Sequence, residues 1–193
     1  MGNSGSNVST MTPEMLEEYS QLTYLNKAEI VYIFRSFETL GPKELQENLH
    51  CRFPIERILQ IIPQLRNNPF RESIFRVFSS KSDDCMSFED VLDLYSAFSE
   101  NCPVDVRAAW AFRIFDLDSD NQVSLDDLIE AVERITGIDE KGRIRIDRPS
   151  AERVAQTVLQ EMDMDHTGSI GAQEFVHTVS RIPEFSSTFR LMP

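Results

Sequence analysis

No apolar run in the chain approaches the ~18 residues of a membrane span, and no charged-then-apolar leader opens it. Positive charge is scarce: 19 Lys and Arg stand against 32 Asp and Glu, a formal net charge of −13. A surface this acidic repels phosphate backbones, which argues against nucleic acid as a partner. Cysteine is scarce too, and Cys51, Cys85 and Cys102 are odd in number, widely spaced and without a CxxC pair. They read as reduced thiols rather than a disulfide framework, so the cytoplasm is the expected compartment. There the Asn7-Val8-Ser9 sequon meets no glycosylation machinery. GxSxG, HExxH and P-loop signatures are missing, and Cys51 beside His50 is adjacency rather than geometry. No catalytic residue is expected. The 193 residues, 41% hydrophobic, suit two small lobes better than one block, and the acid excess fits a cation binder.

The acid is concentrated in DLDSDNQVSLDD, Asp116 to Asp127. Asp116, Asp118, Asp120 and Asp127 fall at positions 1, 3, 5 and 12 of a twelve-residue loop, with Gln122 and Ser124 at positions 7 and 9. That is the spacing of an EF-hand, whose oxygens converge on a hard cation. Crowding these carboxylates costs repulsion that a divalent cation removes. Val123 at position 8 suits pairing with a sister loop, and apolar residues at helical spacing flank both sides. The sister is Asp163 to Glu174: Asp163, Asp165 and Thr167 offer side chains, Ser169 its carbonyl, Gly171 a place for bridging water and Glu174 a bidentate carboxylate. His166 at position 4 points away in such loops.

Earlier in the chain, MGNSGS matches the myristoylation pattern with Gly2 as acceptor, and residues 1–12 read as a flexible tail. Residues 13–101 read as a first lobe with two degenerate hands. Residues 13 to 38 are largely helical, with an apolar stripe of Ile30, Ile33, Phe34 and Phe37 after Asn26, broken at Gly41-Pro42. The next stretch lacks acids at ligand spacing and places Arg57 at position 12, where a cation excludes metal; Ile55 to Ile62 forms its exit helix. A second loop begins at Ser79, with Phe78, Met86 and Asp90 aligning with Phe115, Val123 and Asp127. Ser79, Lys81 and Asp83 fill positions 1, 3 and 5, a set that holds calcium poorly.

Asn101-Cys102-Pro103 separates a second, metal-binding lobe over 102–182. Its helix through Leu128, Ile129, Val132 and Ile135 stops at Gly137, and the linker beyond carries Lys141, Arg143, Arg145 and Arg148. This basic cluster reads as a solvated linker, with lipid headgroups or an acidic partner as the alternative. The expected fold is all-α: four EF-hands in two lobes, the first two metal-free, with a helical extension over 183–193. The two metal loops differ at position 12. Aspartate is one methylene shorter than glutamate, so the Asp116 loop should tolerate or prefer Mg2+ and the Asp163 loop should favour Ca2+. Asn121 at position 6 must enter a left-handed conformation, which asparagine accepts.

With MGNSGS, LTYLNKAEI, NPFRESIFRVFS, SFEDVLDLYSAFSE, AFRIFDLDSDN and SRIPEFSSTFRL on view, the chain resembles the calcium- and integrin-binding proteins, or calmyrins, almost end to end. The resemblance implies metal only in the C-terminal lobe and binding to helical cytoplasmic segments of membrane proteins. These are integrin α tails in some members and TMC-type mechanotransduction channel subunits in others. Thr167 departs from the family's acidic ligand, and the 138–150 linker is extended.

An opened pair of hands offers an apolar groove to an amphipathic helix. Ile114, Phe115, Leu128, Val132 and Val179 are the candidates to line it, though the same residues serve equally as core. Phe185, Phe189 and Met192 recur at i, i+4 and i+7, so residues 184 to 193 are expected either to occupy the groove and yield to a partner or to dock there permanently. A regulatory adaptor, attached to the inner face of the plasma membrane through Gly2, is the expected function. A calcium buffer and a calcineurin-B-like phosphatase subunit are the rivals.

Overall fold

Side-chain caps set where several of the helices begin. The computed structural model describes residues 11–139, 142–185 and 189–191. Thr12 caps α1 (Pro13–Leu22) by accepting from Met15 N, with Pro13 in the first turn. Asn26 and Glu29 form a capping box that opens α2 (Lys27–Glu38). The expected helical stretch over 13–38 is therefore two helices with a break at residues 23–26. Then follow α3 (Pro42–Glu47), β1 (Phe53–Pro54), α4 (Ile55–Ile61), a 3-10 turn (Pro63–Leu65), α5 (Arg71–Phe78), β2 (Cys85–Met86) and α6 (Phe88–Ala97). The remainder is α7 (Val104–Phe115), α8 (Leu125–Thr136), α9 (Arg148–Met162) and α10 (Ala172–Val179). The fold is all-α with loops paired by short ladders, as expected. No described helix is long and apolar enough to cross a membrane.

The chain divides into two units. One takes residues up to Arg66, Phe78–Asn101 and Leu191; the other takes Asn67–Val77 and Cys102–Arg190. The second unit resumes at Cys102, just before Pro103. The grouping of Asn67–Val77 with the second unit differs from the expected 13–101 lobe, and contacts within that unit explain it. The Phe70 and Phe115 rings lie 4.8 Å apart, Arg76 Nη2 donates to Asp116 O at 2.7 Å and Arg134 Nη1 to Ser73 Oγ at 3.3 Å.

In the first unit the apolar stripe of α2 is buried as its spacing requires: Ile30, Ile33, Phe34 and Phe37 all face inward. Phe88 meets Tyr19, Phe34 and Phe37 with ring centroids 5.1–5.6 Å apart. Each buried ring contributes about 1.5–3 kcal/mol by area, and each such pair roughly 0.5–1.5 kcal/mol more. β1 pairs antiparallel with β2, matching Phe53 to Met86 and Pro54 to Cys85. In the second unit Val123 and Ile170 exchange both backbone hydrogen bonds at 2.9 Å. Around that bridge lie Ala111, Phe112, Leu128, Ile129, Ala151, Ala155, Met162 and Phe175.

Candidate metal centres

α7 ends as it delivers Asp116, and α8 begins where Ser124 caps it, so the loop between is held at both ends by helix geometry. Buried Asp116 draws in the backbone: its Oδ1 accepts from Asp120 N and its Oδ2 from Asn121 N, both at 3.1 Å. Ser119 (φ 65°) and Asn121 (φ 67°) turn left-handed to allow this. One oxygen each of Asp116, Asp118 and Asp120 lie within 4.8 Å of one another. Like charges about 4 Å apart repel by roughly 1 kcal/mol in water and about 4 kcal/mol near a protein surface, a cost that a divalent cation reverses. Burial, outweighing the hydrogen bonds from Asn121, Asp120 and Ser119, lifts the Asp116 carboxyl above its usual range.

The second loop is built alike from α9 to α10. Asp163 Oδ1 accepts from Thr167 N at 3.0 Å and Oδ2 from Gly168 N at 2.9 Å. His166 (φ 58°) and Gly168 (φ 92°) are left-handed at positions 4 and 6, and at Gly168 this conformation is what favours glycine. Asp163, Asp165 and Glu174 bring carboxylate oxygens within 4.8 Å of one another. Burial raises the Asp163 carboxyl, but N–H donors from Gly168 and Thr167 outweigh it and leave it below its usual value. Glu174 is also lowered, first by the N–H of Gly171, with Asp165 and Met164 adding to it. Both acids are thus poised as carboxylates.

Position 12 separates the two loops. Glu174 reaches its cluster while its Oε1 accepts from Met164 N and Asp165 N, and its Oε2 from Gly171 N. Asp127 does not join Asp116, Asp118 and Asp120; its oxygens accept from Leu117 N at 3.1 Å, Ser124 N at 2.8 Å and Ser124 Oγ at 2.7 Å. Position 5 differs as well: Thr167 Oγ1 donates to Ser169 O at 3.2 Å, whereas Asp120 Oδ1 accepts from Gln122 N at 2.8 Å. The loops communicate at position 7, where Ser169 Oγ donates to Gln122 Oε1 at 3.0 Å. The residues present suit hard divalent cations: Asp116, Asp118, Asp120, Gln122 and Ser124, with Asp127, would hold one, and Asp163, Asp165, Thr167, Ser169, Gly171 and Glu174 another.

The groove candidates Phe115, Leu128, Val132 and Val179 lie together in or against the apolar cluster of this unit. Ile114 is buried but sits outside that cluster. Phe185 and Phe189 pack against the same cluster and stack on each other at 5.4 Å, with Phe189 N donating to Phe185 O at 3.1 Å. Met192 and Gly2 lie outside the described residues. The basic linker is committed locally: Arg143 pairs with Asp139, Arg145 Nε donates to Ile138 O, and Arg148 meets Glu133, Asp126 and Glu152. Lys141 also lies outside the described residues. Sequence reasoning missed Arg52, which enters the loop at Ser79; the available signal was its place one residue before Phe53, the partner of Met86.

A family model for an EF-hand domain pair matches residues 105–180, the stretch that holds both carboxylate clusters. Calcium and integrin-binding family member 2 of Drosophila melanogaster is 32% identical to the chain, with 97% of this chain and 98% of the relative covered. The chain belongs to the calcium and integrin-binding family. Member 3 of that family from Homo sapiens matches equally, at 32% over the same shares. Human member 2 is 29% identical, again with 97% and 98% covered. Family membership thus extends across both units, beyond the domain pair itself.

Proposed function

We propose that this member of the calcium and integrin-binding family is a Ca2+- and Mg2+-binding regulatory adaptor. Its second unit takes an amphipathic helix from the cytoplasmic part of a membrane protein. The observation that carries the reading is the seat of the C-terminal segment. Phe185 and Phe189, four residues apart, pack against the cluster that contains Leu128, as do Phe115, Val132 and Val179. A helical ligand presents anchors at that spacing, so the segment stands in for a partner and yields to it. The relatives' names carry integrin binding, which makes an integrin α tail the first candidate, with a helix of a TMC-type channel subunit as the second. Ca2+ belongs at the Glu174 loop. Mg2+ is accepted at the Asp116 loop because Asp127 stops short of the carboxylates there. Acylation of Gly2 would hold the adaptor at the inner face of the plasma membrane, and intact-mass spectrometry reads it directly.

Calorimetric titration of both helices tests the reading, using the full chain and a chain lacking 184–193 in metal-free, Mg2+ and Ca2+ buffers. Removing the tail should tighten binding about tenfold or more, equivalent to at least ~1.4 kcal/mol of relieved competition. Unchanged or weaker binding would make the tail a permanent part of the core. Higher affinity in Ca2+ than in Mg2+ makes the protein a sensor, and full binding in Mg2+ makes its metals structural. Failure of both helices in every buffer would sink the adaptor reading.

A further inference from the structure

Loop pairing fixes the register. Phe53 faces Met86 in the first unit as Val123 faces Ile170 in the second, so these four residues hold position 8 of their loops. Arg52 is therefore at position 7, the place Gln122 holds in the second unit. Gln122 reaches across only as far as Ser169. Arg52 goes further in. Its Nη2 donates to Ser79 Oγ at 3.2 Å, Asp83 Oδ1 at 2.8 Å and Cys85 O at 2.6 Å. Its Nη1 donates to Asp90 Oδ2 at 2.8 Å and Ser80 Oγ at 3.0 Å, and its Nε to Asp83 Oδ2 at 3.1 Å. Apart from Ser80, the acceptors stand at positions 1, 5, 7 and 12, from which an EF-hand loop aims oxygen at calcium.

We infer that the Arg52 guanidinium is the resident cation of the second hand, supplied by the first loop to the place a divalent ion takes in the third and fourth.

Three observations support this independently of the partner reading. The loop keeps the backbone of a metal loop: Ser82 (φ 49°) and Asp84 (φ 53°) are left-handed at positions 4 and 6, like Ser119 and Asn121 or His166 and Gly168. Neither is glycine, and such conformations persist where surrounding contacts over-determine them. The end of the loop is closed alike. Asp90 Oδ1 accepts from Ser80 N, as Asp127 accepts from Leu117 N and Glu174 from Met164 N. The charge is enclosed: the Arg52 side chain is 13% exposed and that of Asp90 6%, so each needs the other. The Asp83 hydrogen bond, the largest influence, raises the Arg52 guanidinium further, and Arg52 in turn holds Asp83 below its ordinary value. A planar fork with five N–H donors can address this ring of acceptors, whereas an ammonium brings three. Because the cation is tethered, its local concentration does not vary with that of calcium.

The test uses the full chain with Ca2+ saturating the third and fourth hands. Arg52→Ala should lower the melting temperature of the first unit by about 10 °C or more, as loss of a buried charge partner does. Millimolar methylguanidinium should restore part of that loss in the variant and leave the wild type unchanged, while tetramethylammonium restores nothing. Arg52→Lys should fall between Ala and wild type. A melting temperature close to that of the wild type, equal rescue by both cations, or no rescue of a folded variant would overturn the inference. Should Arg52→Ala not fold, the wild type decides through NMR of the Arg52 Nε–H and Nη–H groups. Slow solvent exchange, unchanged as Ca2+ fills the other hands, supports a resident guanidinium; exchange as fast as free arginine, or displacement by Ca2+, overturns it.

Discussion

The loops at Ser79 and at Asp116 share a backbone and differ in where their positive charge originates. Both turn left-handed at positions 4 and 6, both tie position 12 back to position 2, and both end in a serine-capped helix. One closes around a guanidinium that is part of the chain; the other gathers carboxylates that only a dissolved ion can reconcile. An EF-hand loop is thus a shape that needs a cation, and a divalent metal is one of two ways to supply it. With Arg52 as the resident cation, the second unit is expected to respond to ion concentration and the first to be indifferent to it.

Chelation should separate the two most strongly. Stripping divalent ions removes about 4 kcal/mol per site from the second unit when free ion had stood 1,000-fold above Kd, and nothing from the first. Amide exchange reads this residue by residue: Ile129 and Phe175 should lose protection while Ile30 and Leu92 keep theirs. Equal losses would erase the distinction between the units. A finer contrast lies within the second unit. Asp127→Glu lengthens the side chain that now stops at Ser124, and should shift the Ca2+ over Mg2+ preference of the Asp116 loop about tenfold, or ~1.4 kcal/mol. An unchanged ratio by calorimetry would rule out chain length as the cause. The smallest effect is on acid response. The folded Asp83 carboxyl lies below its ordinary value through its hydrogen bond to Arg52. Its stabilisation is present above the unfolded value near 3.9 and is lost as pH falls through the lower folded value. In wild-type protein, carboxyl NMR should place the Asp83 midpoint below the ordinary aspartate range, and Arg52→Lys should move it upward.

The carboxylate clusters at Asp116 and Asp163 were legible because their acids sit within twelve consecutive residues, where spacing alone brings three of them together. Helix boundaries at Asn26, Pro103 and Gly137 were legible for similar local reasons. Ser79 and Lys81 set the expectation that the second hand holds calcium poorly, but the side chain that enters its loop was not visible. Arg52 is 27 residues from Ser79, and only the pairing of β1 with β2 brings it near. Alignment drew attention to Arg57 instead, which lies over the Phe53 ring and reaches Leu40 O and Glu44. The grouping of Asn67–Val77 with the second unit was hidden for the same reason, since Phe70 finds Phe115 only after folding.

A chain that changes one residue at a time has no easy road out of the arrangement at Arg52. An uncharged residue there leaves Asp83 and Asp90 facing each other without a counter-ion. Adding an acid first, at Ser79 or Lys81, crowds a third carboxylate around a guanidinium whose donors are already engaged, and at Ser79 also removes the hydroxyl that donates to Cys85 O. Each single step is expected to lower stability. The arginine therefore ties the choices at positions 52, 79 and 81 together, so that a metal site in this loop calls for coordinated changes rather than a single one.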